Sequence, residues 1–399
     1  MAGISSIGLR ANNLWIRILL LAAVAAAFHS ICMAELKPMS EQEFEKLLRK
    51  AENGSLSAQA EVATAYAVGR TGNINYEEAA RWYKKAADQG DPDSQTNLAV
   101  FYLTGRGVER SDTEAFRWLQ RAASSSYPLA LHDLGILYSN GWGVAKDPAH
   151  GFELLLRAAT AGLEMSQVDV GLAYLNGNAV TADPEMGIKW LKRAAKHDLA
   201  VAHFILGIAY ENGQGVDIDY KKAAEHYLKA ADQGVAAAQN NLGRLYLRGN
   251  GVGGIDRRQA FRLFSQSAEQ GNGQGYLNLA LCHLTGCTGV IDVTEAYSWY
   301  LRAQQSGIPI PEPFEKRFSA IGQELTHDQL QAAQTTSSQW IAQHPAVDPR
   351  SPLQAHYVPT PTLMARGQQT LQNDEVLKTL WQRTQYTPPP RSNARDSVR

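Results

Sequence analysis

Apolar residues recur every three or four positions along most of the chain, which is the pattern typical of amphipathic helices. In residues 130–138, Ala130, Leu134 and Tyr138 recur at intervals of four. Side chains at this spacing lie on one face of an α-helix. A second pattern has an alanine and a tryptophan three residues apart, as in Ala115 and Trp118. The chain is therefore predicted to fold into pairs of helices.

The helical pairs recur with a period of 36 residues. Seven segments align from Ser55 to Gly307, and only the sixth is one residue longer, at Gly253 and Gly254. One pair cannot bury its apolar face alone, whereas stacked pairs can. We therefore expect an all-α solenoid of seven helical-hairpin repeats over residues 55–307.

Residues at the helix ends support this period. Glycine tolerates the left-handed backbone common just past a helix, and glycines end the first helices at Gly69, Gly105, Gly141, Gly177, Gly213, Gly249 and Gly286. The second helices should begin after good capping residues, which are Asn75, Ser111, Asp147, Asp183, Asp219, Asp256 and Asp292. Ser111 and Glu114 also have the spacing of a capping box.

The stretch GNGVGG, residues 249–254, has the G-x-G-x-x-G spacing of a dinucleotide-binding turn. That turn requires a strand before it. Here Leu242, Leu245 and Tyr246 precede it at helical spacing, and it aligns with GRGV at 105–108. We therefore interpret it as the turn between the two helices of the sixth repeat. No nucleotide cofactor is predicted.

The repeat pattern A-x-x-x-L-G-x-x-Y-x-x-G-x-G-V, followed by D-x-x-x-A-x-x-W and A-A-x-x-G, resembles the Sel-one-like repeat (SLR) family. The resemblance covers about two thirds of the chain; the seventh repeat departs from it at Gly275 and His283. It implies a right-handed α/α superhelix related to tetratricopeptide repeats. Family members act mainly as adaptors and regulators through protein–protein contacts. Exported bacterial members include periplasmic regulators and virulence factors.

Cysteine usage separates the chain from the cysteine-rich branch of that family, which is linked to β-lactam binding and hydrolysis. That branch has a disulfide in each repeat, whereas six of the seven repeats here lack paired cysteines. Cys282 and Cys287 are a candidate disulfide; alternatively, Cys282 is a buried small residue and Cys287 an exposed thiol. No catalytic, cofactor or metal site is predicted, because the chain lacks H-E-x-x-H, G-x-S-x-G and P-loop motifs.

The N-terminus resembles a signal peptide over residues 1–34. Arg10 and Arg17 precede the apolar run 18–28, and small residues at 32–34 suggest cleavage after Ala34. An uncleaved anchor and lipidation at Cys32 are alternatives. We expect an exported protein with no membrane span in its mature chain, periplasmic first, secreted or at the cell surface second.

Helices are also expected on both sides of the repeats. Residues 35–54 should form a capping helix that begins after Ser40. Residues 308–344 should form two more, over 312–321 and 327–343. The second would be capped by Thr326, and Trp340 and Ile341 would dock it on the seventh repeat. These segments would close the ends of the array.

Residues 345–399 form a proline-rich tail that we expect to be disordered. One helical face in it is a candidate docking segment for a partner, or for folding back onto the solenoid. This face consists of Val376, Leu377, Leu380 and Trp381.

Function is expected to lie in the first helices of each pair. One position there is repeatedly polar and forms a candidate partner-binding ladder of Asn97, Asp133, Asp169, Asn241 and Asn278. These side chains would hold an extended peptide, or would simply solvate the helix. The balance of 38 basic and 39 acidic residues gives no reason to expect nucleic acid. We therefore expect a scaffold for a protein or peptide partner, ahead of a structural cell-envelope component and then a hydrolase.

Overall fold

A computed structural model describes residues 38–287 and 289–344. In these two ranges every regular element is a helix. The predicted signal peptide, the tail at 345–399 and its candidate docking segment lie outside the described residues. The helices are α1 (Glu41–Glu52), α2 (Leu56–Val68), α3 (Tyr76–Asp88), α4 (Pro92–Thr104), α5 (Asp112–Ala123), α6 (Pro128–Asn140), α7 (Pro148–Thr160), α8 (Glu164–Asn176), α9 (Pro184–Ala195), α10 (Ala200–Asn212), α11 (Tyr220–Asp232), α12 (Ala236–Arg248), α13 (Arg257–Glu269), α14 (Gly273–Thr285), α15 (Val293–Gln305), α16 (Glu312–Glu324) and α17 (His327–Gln343).

The described residues divide into two compact units, 38–238 and 239–344. In the first, α1 packs on α2, and the hairpins α2–α3, α4–α5, α6–α7, α8–α9 and α10–α11 stack in order. In the second, α13 packs on the hairpin α14–α15, and α16 and α17 pack on α15. The expected all-α architecture of stacked hairpins is confirmed within each unit.

The capping residues of the second helices act as predicted. All seven accept a hydrogen bond from a backbone N–H in the first turn of their helix. The prediction of a complete capping box at Ser111 is wrong, because only the bond from the Glu114 N–H to the Ser111 side chain forms. The Ser111 backbone N–H donates to the carbonyl of Tyr102 instead, and the Glu114 carboxylate pairs with Arg117 at 2.5 Å. The donor that Glu114 would have satisfied is therefore already used.

The two glycines of each G-x-G-V turn have different tasks. The first ends α4 in the left-handed conformation, with φ of +68° at Gly105. The second allows hairpins to stack. A Cβ atom at Gly107 would overlap the carbonyl group of Tyr76, the first residue of α3 in the preceding repeat. The turn at 249–254 likewise joins two helices, α12 and α13, which confirms its interpretation.

Small residues bring the two helices of a hairpin close together. A Cβ atom at Gly135 on α6 would lie 2.8 Å from the backbone oxygen of Gly151 on α7 and 3.0 Å from Leu155. Gly135, which follows Leu134, therefore permits the close approach of the two helices.

Helices at both ends of the described region cover apolar surface. Ser40 and Glu43 form a capping box at the start of α1, and the Phe44 ring packs edge-on against Tyr66 at 5.2 Å. Thr326 caps α17 as predicted, and it forms a capping box with Gln329. On the same helix Trp340 lies 4.8 Å from Trp299 of the seventh repeat, as predicted. None of the helices in the described ranges is long and apolar enough to span a bilayer.

Candidate partner-binding site

The polar ladder lies on first helices, but its members have different surroundings. Asn97 on α4, Asp169 on α8 and Asn241 on α12 are half-buried, whereas Asp133 on α6 and Asn278 on α14 are buried. The structure brings Asp133 and Asp169 together around a histidine in the first unit. In the second unit, Asn241 and Asn278 are linked through the side chain of Asn240. The ladder thus contains two different sites.

In the first unit, His132 on α6 lies between two carboxylates. Its Nδ1 atom is 2.9 Å from Ser166 Oγ and 3.5 Å from Asp169 Oδ2, both on α8. Its Nε2 atom is 4.0 Å from Asp133 Oδ1. Asp133 is 3% exposed, whereas the Asp169 side chain keeps 31% of its surface exposed. We call His132, Asp133, Ser166 and Asp169 the acid cluster.

Burial changes the protonation of the acid cluster. Removal from water disfavours charged forms, so it raises the pKa of Asp133 to about 8 and lowers the pKa of His132 to about 4. The same cause raises the pKa of Asp169 to about 7. No described residue donates a hydrogen bond to either oxygen of Asp133. The cluster therefore favours a neutral Asp133 beside a neutral imidazole.

More negative charge lies beside the cluster. Tyr127, just before α6, donates its O–H to the carboxylate of Asp93 on α4. Burial and that bond raise the pKa of Tyr127, and the charges of Asp91 and Asp133 raise it further. Acidic groups from three successive first helices thus contribute to one region of the surface.

In the second unit, Asn240, which is not a ladder residue, lies between the two ladder amides and bonds to both. Asn278 Nδ2 donates to Asn240 Oδ1 at 2.7 Å. Asn241 Oδ1 accepts from Arg244 Nη1 at 3.2 Å and from Asn240 Nδ2 at 3.5 Å. To hold a peptide, the ladder amides would have to be free and exposed. Asn278 is instead buried and bonded to Asn240. Asn278 therefore stabilises the unit from within.

A row of buried glutamines was not predicted. Gln59, Gln95 and Gln167 each donate through Nε2 to a carbonyl near the end of the preceding helix, at 3.0, 2.9 and 3.4 Å. Each of these carbonyls also accepts a backbone N–H from the turn after its helix, so the glutamine amide is a second donor to it. The recurrence of glutamine at multiples of the repeat length was the signal in the sequence. These residues join successive hairpins and are not available to a ligand.

A second histidine site lies on α10 and α11. His203 Nδ1 and His226 Nδ1 are 2.9 Å apart, and His203 Nε2 is 3.1 Å from Asp198 Oδ1. Burial lowers the pKa of His226 to about 4. The described residues contain no group of three or more histidine, cysteine, aspartate or glutamate side chains arranged to hold a metal ion. We therefore interpret this pair as packing between the helices of one hairpin.

The candidate cysteine pair lies at the end of α14. Cys282 and Cys287 form a disulfide in the structure, with Cα atoms 4.8 Å apart. Both residues are buried, so the alternative of an exposed thiol at Cys287 does not describe this structure. The bridge closes the turn that follows the helix.

Comparison with known proteins identifies the repeats. The family model described as Sel1 repeat matches residues 56–91, 92–127, 128–163, 165–199, 200–235, 236–272 and 273–307. A search of curated proteins returned no match.

Solved structures show the same fold. The chain is similar to c5321, described as a protective antigen of uropathogenic Escherichia coli displaying an SLR fold, with 30% identity and a TM-score of 0.64. That alignment covers 74% of this chain but only 64% of c5321. A Sel1 repeat protein from Oxalobacter formigenes has 24% identity and a TM-score of 0.55, covering 64% of this chain and 98% of its own.

Proposed function

Because the chain belongs to the Sel1 repeat family, we propose that it is an exported interaction scaffold that binds a protein or peptide partner. Sel1 repeat proteins are generally scaffolds for protein–protein interaction. The proposed binding surface is the exposed edge of the first helices in the first unit. The proposal involves no nucleic acid, metal or cofactor, and no catalytic residue.

The acid cluster is the observation that carries this proposal. Asp133 and Asp169 come from two successive repeats, and His132 lies between them within 4.0 Å of each. Such polar groups lower the stability of a helical stack unless something else compensates for their burial. Asn97 occupies the same repeat position on α4 and is half-buried. A partner lying across α4, α6 and α8 would contact the half-buried ladder residues Asn97 and Asp169, which flank the buried Asp133.

Export is proposed from two further features. The N-terminal 34 residues have the charge and apolar pattern of a signal peptide. The bond between Cys282 and Cys287 is of a kind that persists in oxidising compartments such as the periplasm. Both features support a periplasmic location, with secretion or surface display as variants of the same route.

Affinity capture with residues 35–399 as bait tests the proposed binding surface. Asn97→Ala combined with Asp169→Asn should reduce retention of a stoichiometric protein partner by about tenfold, since both side chains are half-buried at the proposed surface. Asp217→Asn, an exposed residue in the turn before α11, is the matched control. A bait ending at Gln343 measures the contribution of the tail.

Two results would contradict the proposal. One is equal retention of the partner by the double variant and the wild-type chain. The other is enrichment of glycan fragments without a protein partner, which would favour a structural role in the cell envelope. Asn278 is left out of the variant because its buried amide bonds to Asn240, and its loss would lower stability.

A further inference from the structure

The acid cluster has acceptors without matching donors. Asp133 is 3% exposed, and neither of its oxygens accepts a hydrogen bond from the described part of the chain. A buried carboxylate is costly unless it is protonated, hydrogen-bonded or paired with a cation. The neighbouring His132 does not donate a hydrogen bond to Asp133, because the distance of 4.0 Å between His132 Nε2 and Asp133 Oδ1 is too long.

The titratable side chains of the cluster and of the α4 side next to it are acids, apart from the neutral imidazole of His132 and the hydroxyl of Tyr127. Asp91 and Asp93 lie on the α4 side, His132 and Asp133 on α6, and Asp169 on α8. Across residues 38–287 and 289–344, no lysine or arginine forms an ion pair with Asp133 or Asp169. A neutral donor would satisfy hydrogen bonds but would not stabilise the ionised forms of Asp133 and Asp169, which burial disfavours. A positively charged ligand would do both.

We propose that the acid cluster binds one cationic side chain, a lysine or an arginine, of the partner protein. This inference rests on the proposed function and specifies the chemistry that the partner must supply. Asp169, at 31% exposure, would meet the cation first. Asp133 would then accept its N–H groups below the surface. Both oxygens of Asp133 are shielded from solvent in the unliganded structure, so the cation reaches them only when neighbouring side chains move. Lysine and arginine carry their charge on long flexible stems, which suits such a partly buried site.

Binding should be coupled to the release of a proton. Burial raises the pKa of Asp133 to about 8, so this carboxyl group is largely protonated in the unliganded protein at neutral pH. The cation favours the ionised form and displaces the proton. Affinity therefore rises with pH, by about fourfold between pH 6.5 and pH 8 when binding lowers the pKa of Asp133 by one unit. His132 stays neutral in this range because burial lowers its pKa to about 4.

Titration of the full chain with small probes tests the inference without the partner. The probes are the N-acetyl methylamides of lysine, arginine and norleucine, and norleucine supplies the same apolar stem without charge. With ¹³C-labelled aspartate, NMR resolves the carboxyl carbons of Asp133 and Asp169 directly. We expect saturable shifts at both carbons with lysine or arginine, but not with norleucine. The pKa of Asp133 should fall by about one unit when the probe is bound.

Variants separate the cluster from general acidity. Asp133→Asn keeps the shape of the side chain and should lower the affinity for the cationic probe by about tenfold. Asp217→Asn removes an exposed carboxylate of the same unit and should leave binding unchanged. If Asp133→Asn fails to fold, Asp169→Asn at the more exposed position replaces it. The wild-type titration is informative in either case.

Contradictory outcomes are distinct from failure of the proposed function. Absence of saturation with both cationic probes, or equal binding by the wild-type chain and Asp133→Asn, would overturn this inference. If the probes fail while Asn97→Ala with Asp169→Asn still lowers partner capture, the scaffold surface stands and its cationic ligand does not. If the probes bind but capture is unaffected, the cation site is real and the proposed partner surface is wrong.

Discussion

In the first unit Asp133 is buried with no hydrogen bond to its carboxylate from the described residues, whereas in the second unit the equally buried Arg302 is held on several sides. Arg302 is 2% exposed. Its Nη2 donates to Ser298 Oγ at 3.1 Å and to the carbonyl of Thr336 at 3.0 Å. Its guanidinium carbon lies 3.8 Å from the ring of Trp299 and 5.0 Å from that of Trp340.

The difference follows from the chemistry of the two charged groups. A guanidinium is planar and weakly hydrated, so aromatic faces stabilise it even though Arg302 Nε and Nη1 lack hydrogen-bond partners in the described region. A carboxylate has no comparable interaction with carbon surfaces and requires donors or a cation. The fold itself therefore stabilises Arg302. Asp133 is neutralised only by a proton or by a ligand.

The largest effect is expected from removing the stabilised charge. Arg302→Ala leaves a cavity between Trp299 and Trp340 and deprives the Thr336 carbonyl of its donor. We expect a loss of about 3 kcal/mol in the free energy of unfolding of the second unit. Urea unfolding followed by tryptophan fluorescence measures it, and hydrogen exchange of α15 and α17 localises it. Arg262→Ala, exposed on α13, is the control; equal losses would refute the role of Arg302.

Asp133→Asn is expected to increase the free energy of unfolding at high pH, by less than Arg302→Ala decreases it. The pKa of Asp133 is raised in the folded state, so the folded protein holds an extra proton and loses stability as pH rises towards about 8. Asparagine cannot ionise. The stability of the variant relative to the wild type should therefore increase by roughly 2 kcal/mol between pH 6.5 and pH 8.5.

The comparison of pH 6.5 with pH 8.5 isolates the acids of the cluster. The pKa values of His132, His203 and His226 are lowered by burial, so their stability terms change only below the ordinary histidine pKa. Denaturant unfolding of the wild type, Asp133→Asn and Asp217→Asn at both values provides the measurement. A wild-type stability that stays level from pH 6.5 to 8.5 would contradict a buried, neutral Asp133.

The smallest effect concerns the one hydrogen bond inside the acid cluster. Ser166→Ala removes the hydroxyl that lies 2.9 Å from His132 Nδ1. A buried hydrogen bond of this type contributes about 1 kcal/mol, and thermal unfolding should show a corresponding decrease. Ser124→Ala, at the exposed end of α5, is the control. If both variants unfold alike, the serine does not fix the imidazole.

Local signals in the sequence predicted the helices and their ends well. The capping residues from Asn75 to Asp292 need only their own first turn to act, so neighbours in the chain determine them. The box at Ser111 was wrong in its second half because Tyr102, on the preceding helix, takes the donor. The candidate site was predicted only as a ladder. Asp133 and Asn278 share a repeat position, yet one lies beside a histidine and the other beside Asn240.

The sequence alone determined the repeat period, the alternation of helices and turns, and the glycines and caps that end each helix, because these depend on residues close together in the chain. The tertiary structure alone decided which ladder residues are buried, which are paired and where His132 lies, because those depend on the facing residue one repeat away. For example, His132 lies next to Ser166 and Asp169, which follow it in the sequence by 34 and 37 residues. The buried carboxylate of Asp133, which accepts no hydrogen bond from the described residues, and the packing of Arg302 against Trp299 arise only when the helices stack.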